Sequence, residues 1–376
     1  ALALLSCVGV ANADGSLIAG LQFTCALLPS AEVKCFGNNS QGQLGQGSAK
    51  NLGDDPNEMG DRLPLVDLGT NRRVVELWAS YSATCAHLTD GSVKCFGSND
   101  GGQLGQGSTE NLGDGPNEMG DRLPSVNLGA NSTVSEVVGG RAFMCARLED
   151  GSVKCWGSAS DGKLGQGSTE NLGDGPNEMG DRLPSVKFGA GRTAVELAAG
   201  SNFVCARLDD GSVKCWGENS VGQLGQGSTE NFGDGPNEMG DRLPSVNLGA
   251  DRAVVELAGG HQHMCARLDD GSVKCWGGNG HGQLGQGSTE NLGDGPNEMG
   301  DRLPSVNLGA NRAVVELAGG HLHMCARLDD GSVKCWGANN HGQLGQGSTE
   351  NLGDGIGEMG DRLPAVNLGA SRTAVE

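Results

Sequence analysis

Apolar residues in this chain fall in short alternating runs cut by glycine, a period-two pattern that predicts β-strands. The stretch from 254 to 309 shows the plan. Val254–Gly260 predicts a short strand ending in a glycine turn. His263–Leu268 and Ser272–Trp276 predict the two arms of a hairpin about Asp270-Gly271, a dipeptide that favours tight hairpin turns. Gly282–Gly287 (GQLGQG) reads as a compact glycine-framed turn, and Ser288–Pro304 as a long polar loop. Ser305–Gly309 predicts a fourth short strand.

The same pattern returns at a fixed period. The string CARLDDGSVKCWG, or a close variant, begins at Cys25, Cys85, Cys145, Cys205, Cys265 and Cys325, each start 60 residues after the last. A repeat of this length with four short strands predicts one propeller blade, and a parallel β-solenoid is the alternative. The expected fold class is therefore all-β, a propeller of four-stranded blades. Six full repeats are visible, and seven blades fit if the chain is incomplete. Residues 14–376 read as one domain with repeats at about 14–76, 77–136, 137–196, 197–256, 257–316 and 317–376.

Composition agrees. Glycine, at 67 residues, suits many tight turns, and at 3% aromatics the core must come from Val, Leu, Ala and sulfur. Twelve of the thirteen cysteines form C-x₉-C pairs: Cys25/Cys35, Cys85/Cys95, Cys145/Cys155, Cys205/Cys215, Cys265/Cys275 and Cys325/Cys335. Folded about the Asp-Gly turn, each pair meets across the hairpin, where Cα atoms of a non-hydrogen-bonded pair lie about 4.5 Å apart, within disulfide reach. Zinc sites use the closer C-x₂₋₄-C spacing. Disulfides imply an oxidising compartment, secreted or at the cell surface; free thiols filling the core are the alternative. Cys7 is left unpaired. Residues 1–13 end in Ala11-Asn12-Ala13 and read either as a signal-like remnant or, from the match of Gly9 with Gly69, as a closing strand.

Three separated motifs now stand together: V-x-L-A-G-G, C-A-R-L-x-D-G-S-V-K-C-W-G and G-Q-L-G-Q-G, in order, six times. This combination resembles the regulator of chromosome condensation repeat over about Asp14 to Glu376. The resemblance implies a β-propeller. The family includes a nuclear exchange factor for a small GTPase, and also secreted propellers that bind proteins through loops of one face. A formal charge of −20, paired cysteines and the lack of any Lys/Arg run speak against nucleic acid and against a small GTPase as partner. No apolar stretch is long enough for a transmembrane helix.

Candidate chemistry concentrates in the loop GDGPNEMGD. It places Asp114, Asn117, Glu118 and Asp121 within eight residues. The same set recurs as Asp174, Asn177, Glu178, Asp181; Asp234, Asn237, Glu238, Asp241; and Asp294, Asn297, Glu298, Asp301. Such oxygen-rich loops can ligate Ca²⁺; turn hydrogen bonds are the alternative use of the same residues. The last copy, Gly353–Glu358, loses Pro and Asn, and the first carries Asp55 in place of Gly. His261/His263 and His321/His323 form H-x-H pairs, read as core packing or satisfied hydrogen bonds, with a metal pair as the alternative. Trp156, Trp216, Trp276 and Trp336, with Phe36 and Phe96 at the same phase, are expected to pack on the disulfides they follow. Arg147, Arg207, Arg267 and Arg327 are expected to pair with the acidic loops. Asn38 and Asn131 head N-x-S/T sequons, candidate glycan sites in a eukaryotic source.

No catalytic motif appears, and the chain reads as non-enzymatic. The functional expectation is an extracellular structural or assembly protein offering multivalent contacts to proteins or to its own copies, such as a filament, appendage or surface-layer subunit. The alternative is a soluble binding module that grips one partner through three variable turns, at 20–23, 38–41 and 69–73 and their equivalents. No cofactor is required by the sequence, and Ca²⁺ is the one its acidic loops suggest.

Overall fold

The computed structural model describes residues 16–130, 132–250, 252–310, 312–369 and 374. Cys7, Asn131 and the segment 1–13 lie outside them. The described strands form six three-stranded antiparallel sheets. These are β1 (Ser16–Ala19), β2 (Phe23–Leu27) and β3 (Val33–Gly37); β4 (Val74–Ala79), β5 (Ala83–Leu88) and β6 (Val93–Gly97); β7 (Val134–Gly139), β8 (Phe143–Leu148) and β9 (Val153–Gly157). They continue with β10 (Ala194–Ala199), β11 (Phe203–Leu208) and β12 (Val213–Gly217); β13 (Val254–Gly259), β14 (His263–Leu268) and β15 (Val273–Gly277); β16 (Val314–Gly319), β17 (His323–Leu328) and β18 (Val333–Gly337). Two compact units hold them. One contains β1–β9 and Gly233–Pro236; the other contains β10–β18, with Phe188–Phe232 and the chain from Asn237 onward. Among the described residues no helix is long and apolar enough to cross a membrane.

The expected fourth strand is reduced to two bridges. Leu112 pairs with Gly97, and Ser125 with Lys94; the same pair of bridges recurs in every repeat. Pro124 explains the break: it has no N–H to donate, so the outer segment touches the sheet edge without zipping along it. Ser305–Gly309 behaves alike, through Ser305 opposite Lys274.

The hairpins form as their spacing predicts. Cys85 stands directly opposite Cys95 in the β5–β6 register, as Cys25 does opposite Cys35 and Cys325 opposite Cys335. All six predicted disulfides are present: Cys25–Cys35, Cys85–Cys95, Cys145–Cys155, Cys205–Cys215, Cys265–Cys275 and Cys325–Cys335. Their Cα separations are 4.0–4.1 Å. The turn is a three-residue loop rather than a two-residue one: Leu88 N–H donates to the Ser92 carbonyl, and Gly91 takes φ +81°. A third loop residue in the left-handed region is the glycine-bulge hairpin. In the first repeat Ala31 occupies that position, at φ +62°.

Within each unit the first strands of consecutive sheets pack together, β1–β4–β7 in one and β10–β13–β16 in the other. The core lies between sheets, so the middle strands β5, β8, β11 and β14 are buried on both faces over most of their length. The aromatic after the second cysteine serves this interface. Trp156 shares a cluster with Cys85 and Cys95 of the preceding repeat, as Trp276 does with Cys205 and Cys215 and Trp336 with Cys265 and Cys275. Its indole N–H donates to a carbonyl of that same preceding repeat, Trp156 to Gln103 at 2.9 Å and Trp276 to Gln223 at 3.1 Å.

The expected packing of each aromatic on the cysteine it follows is thus corrected, and the end repeats show it most clearly. Cys35 is covered by Phe96 of the next repeat, in one cluster with Cys25, whereas its own neighbour Phe36 stays outside that cluster. Cys335 is not the seat of Trp336, which packs on the fifth-repeat disulfide instead. Cys325, its disulfide partner, is the one bridged cysteine left partly exposed. These aromatics join one blade to the previous one.

Candidate functional site

Two segments that hardly vary between copies, the GQLGQG turn and the acidic loop, come from different repeats and meet. Gly107 N–H donates to the Gly173 carbonyl at 2.9 Å, and Gly227 N–H to the Gly293 carbonyl at 2.9 Å. Glycine is required there: a Cβ on Gly102 would sit 2.5 Å from the Asp174 nitrogen. Grooves open above two such junctions, both in the first unit. In the first unit one groove of about 480 Å³ lies among Gln46, Leu65, Pro116, Asn117, Asp121 and Arg122. A second, of about 580 Å³, lies one repeat later among Gln106, Asn127, Pro176, Asn177, Asp181 and Arg182. Both fall in the roughly 300–1,000 Å³ range of clefts that hold ligands. Each offers a proline and methionine floor with an Asp-Arg rim.

Buried asparagines shape the turn. Asn99 is fully buried; its Nδ2 donates to the Ser108 and Glu110 carbonyls, each at 2.8 Å, and its Oδ1 accepts from Leu104 N–H. Asn39, Asn219, Asn279 and Asn339 repeat this, so position 39 within the supposedly variable turn 38–41 is scaffold; Ala159 is the one departure. Half-buried Asn38 is engaged too, its Nδ2 donating to Gln22 Oε1 at 2.9 Å.

The acidic loop is held by its own carboxylates. Glu118 Oε2 accepts from Gly113 and Gly115 N–H at 2.9 and 2.7 Å, and Glu178, Glu298 and Glu358 do likewise. Asp121 reaches back to the previous repeat, accepting from Thr70 N–H and hydroxyl at 2.8 and 2.6 Å. These bonds hold its carboxyl below the usual range. Asp181, Asp241 and Asp301 accept from Ala130, Ala190 and Ala250 N–H in the same way. Asp114, Asp174 and Asp294 bond Asn111, Asn171 and Asn291. Asn117, Asn177, Asn237 and Asn297 sit at φ +67 to +69°, which Asn tolerates better than most residues. In the last copy Gly357 takes the same conformation, at φ +81°. The carboxylates of each loop therefore turn toward separate amides. Among the described residues the one set of three His, Cys, Asp or Glu side chains whose ligand atoms lie within 4.8 Å of one another is Asp54, Asp55 and Glu58, in the first loop. There the Lys50 ammonium, followed by the Asp55 and Gly53 amides, lowers Glu58 to about 2.

A residue that carried no sequence signal proves central. Lys94 Nζ donates to the Leu68 carbonyl of the preceding repeat at 2.8 Å and to the Gly120 carbonyl of its own repeat at 2.9 Å. Lys154, Lys214, Lys274 and Lys334 repeat the pattern. Each ammonium pins the single 3₁₀ turn below the groove, such as Gly120–Arg122. A lysine alternating with valine and cysteine on a strand reads as a solvent-facing residue, and only the neighbouring repeat reveals its task.

The arginines are corrected as well. Arg147 pairs with Glu136 at 2.9 Å, and Arg207, Arg267 and Arg327 with Glu196, Glu256 and Glu316 at 2.6–2.7 Å. Their partner is the glutamate across the same sheet, aimed there by a bulge one residue earlier, and not the acidic loop. The second repeat breaks the rule: Glu76 faces His87. Burial chiefly, then the charge of Glu136, raises Glu76 to about 7, and its Oε1 finds no hydrogen bond among the described residues.

The histidines are likewise partly as expected. His263 and His323 are buried, at the place of Phe23, Phe143 and Phe203 in other repeats. Packing is their role, but His263 Nδ1 and Nε2 make no hydrogen bond among the described residues. His261 and His321 lie in the preceding turns and not on the strands. Burial chiefly, then nearby imidazoles, lowers His263 to about 3 and His321 to about 4.

A family model described as RCC1-like domain matches residues 8–354. Among curated proteins the chain is similar to the human E3 ubiquitin-protein ligase HERC2, 27% identical over 93% of this chain and 6% of that protein. It is also similar to the ultraviolet-B receptor UVR8 of Arabidopsis thaliana, 28% identical over 88% of this chain and 66% of that protein. The chain thus spans a small part of HERC2 and just under two thirds of UVR8. Among solved structures it resembles yeast RCC1 (Prp20), solved with Kap60 bound, with a TM-score of 0.67 at 18% identity over 94% of this chain and 76% of that one. That likeness shows the fold: each three-stranded sheet is a β-propeller blade.

Proposed function

Because the chain belongs to the RCC1-like domain family, we propose that it is a non-enzymatic protein-interaction module that works multivalently in an oxidising, extracellular setting. One observation carries this reading: the same groove, rimmed by the same Asp-Arg pair, recurs at successive blade junctions. Repetition of a closely similar surface suits a partner that repeats, whether copies of this chain or a periodic protein, because linked weak contacts add to high avidity. The relatives support protein binding in general, since a propeller of this fold was solved with the protein Kap60 bound. Six disulfides, all but one of their cysteines buried, support the oxidising compartment.

The test is self-association by sedimentation velocity, with electron microscopy of the native material. Wild-type chain is expected to associate with rising concentration, and Arg122→Ala with Arg182→Ala to weaken that association stepwise. A chain that stays monodisperse throughout, and captures one protein partner equally well with both arginines removed, overturns the groove-based reading in favour of a single-partner binder.

A further inference from the structure

The fifth and sixth repeats share a feature absent from the other four. The turn before the middle strand carries a histidine in each, His261 and His321, where the others have Leu21, Tyr81, Arg141 and Ser201. His261 N–H donates to the His321 carbonyl at 2.9 Å. The two rings stand 4.2 Å apart between centroids, their planes tilted by 47°, and both side chains are only half-buried. Behind them lies His263. A Cβ on Gly260 would meet its Cε1 at 2.0 Å and the Gly320 carbonyl oxygen at 2.6 Å, so its ring is wedged beside the two turns that bear the outer histidines. It fills a pocket that phenylalanine fills in three other repeats, and its Nδ1 and Nε2 make no hydrogen bond among the described residues. Phenylalanine would occupy this space without burying unsatisfied nitrogens. The imidazole therefore calls for a reason beyond packing.

We propose that this histidine cluster is a binding site for a borderline divalent transition-metal ion (Zn²⁺, Cu²⁺ or Ni²⁺), with His261 and His321 as the outer ligands and His263 as the inner one. Imidazole suits these ions, whereas Ca²⁺ and Mg²⁺ take oxygen donors, so the site is chemically distinct from the acidic loops. An ion about 2.0–2.1 Å from each nitrogen can be shared by the half-buried His261 and His321 rings, already 4.2 Å apart between centroids, after their side chains rotate, because the backbone hydrogen bond between the turns fixes their spacing. The three histidines' nitrogens do not all lie within 4.8 Å of one another as they stand, so the inner contact needs the outer rings to turn toward His263. Water completes the shell on the open side.

The experiment is a Zn²⁺ titration of the full chain by calorimetry with excess Ca²⁺ occupying oxygen sites, and Cu²⁺ paramagnetic resonance to detect bound nitrogen. One site per chain with nitrogen hyperfine coupling is expected. His261→Ser and His321→Ser should each lower affinity by about tenfold or more, since even outer-shell partners contribute roughly 10–100-fold. Both variants should fold, as Ser201 holds the equivalent place. His263→Phe, the residue of the fourth repeat, should weaken Zn²⁺ while leaving residual binding. Undiminished binding in the His261→Ser, His321→Ser double variant overturns the site. Unchanged affinity in His263→Phe overturns the inner ligand, and loss of binding on replacing His281 and His341 relocates the ion and also overturns the proposal.

Discussion

Replacing His87 by arginine should stabilise the second blade, and the gain should grow with pH. In four other sheets the residue opposite the first-strand glutamate is arginine, at 2.6–2.9 Å. Glu76 instead faces His87, which burial keeps below its ordinary pKa and which stacks on Trp78 at 5.9 Å. Glu76 is 7% exposed and titrates near 7 against 4.5 for a free carboxyl, because of burial first and Glu136 second. The folded state thus holds a proton that the unfolded state has already released. Stability is greatest below about 4.5 and falls as pH rises toward 7. At about 1.36 kcal/mol per pH unit, the penalty above neutrality is roughly 3 kcal/mol. Glu76→Gln should therefore unfold like wild type near pH 4.5 and be more stable by about 3 kcal/mol at pH 8. His87→Arg should recover about 1.5–3 kcal/mol at pH 8, the range for hydrogen bonds to charged groups. Because Trp78 occupies space held by Ala198 in the fourth repeat, Trp78→Ala with His87→Arg recreates that pairing if the single variant is crowded. Denaturant unfolding followed by tryptophan fluorescence at a series of pH values reads all three. Parallel stability curves for wild type and Glu76→Gln would refute the reasoning.

Other positions make equally direct tests. Ala31 takes the left-handed turn conformation that glycine fills in the other repeats, so Ala31→Gly should stabilise by about 0.5–1 kcal/mol in denaturant unfolding, after the entropy cost of glycine. Lys154→Met leaves the Leu128 and Gly180 carbonyls without their shared ammonium; a loss of about 2–4 kcal/mol and faster hydrogen exchange at 180–182 are expected. Removing the Cys145–Cys155 bridge as a double alanine variant should cost about 2–3 kcal/mol, while non-reducing peptide maps of wild type should show the six pairings i to i+10, from Cys25–Cys35 to Cys325–Cys335.

What could be read from residues was whatever one repeat does by itself. The C-x₉-C hairpin closes within its own blade, so alternation, an Asp-Gly turn and ten-residue spacing were sufficient to predict it. The fourth strand failed on a local signal that was visible, Pro124, whose missing N–H limits pairing to isolated bridges. The features that one repeat does not carry share a cause. Trp156, Lys154 and Asp181 all bond to the preceding repeat, and a period announces that neighbours exist without saying which atoms meet. Cys35 shows the same limit: its bond to Cys25 was legible, but its cover by Phe96 was not. The φ of +68° at Asn117 states a conformational demand that composition does not carry.

Near-identity of the copies nonetheless supplies a control that single domains lack, because each deviation is a substitution already made in a known environment. Gly357 replaces Asn117's equivalent and keeps the left-handed turn, which argues that Asn is there for its backbone. Ala159 replaces Asn99's equivalent, and Ala159 N–H still donates to Asn171 Oδ1 at 3.0 Å, so that turn survives on half its bonds. Deviations of this kind mark where the scaffold yields. His261, His263, His321 and His323 are deviations of another kind: they arise together, on adjacent blades, and introduce polar nitrogen where other repeats bury phenyl rings or place unrelated side chains. Relaxed constraint would scatter such changes across the chain, whereas a shared ligand requires them to converge. Their convergence is the reason to test His261, His321 and His263 for nitrogen-preferring ions, separately from the oxygen-rich acidic loops.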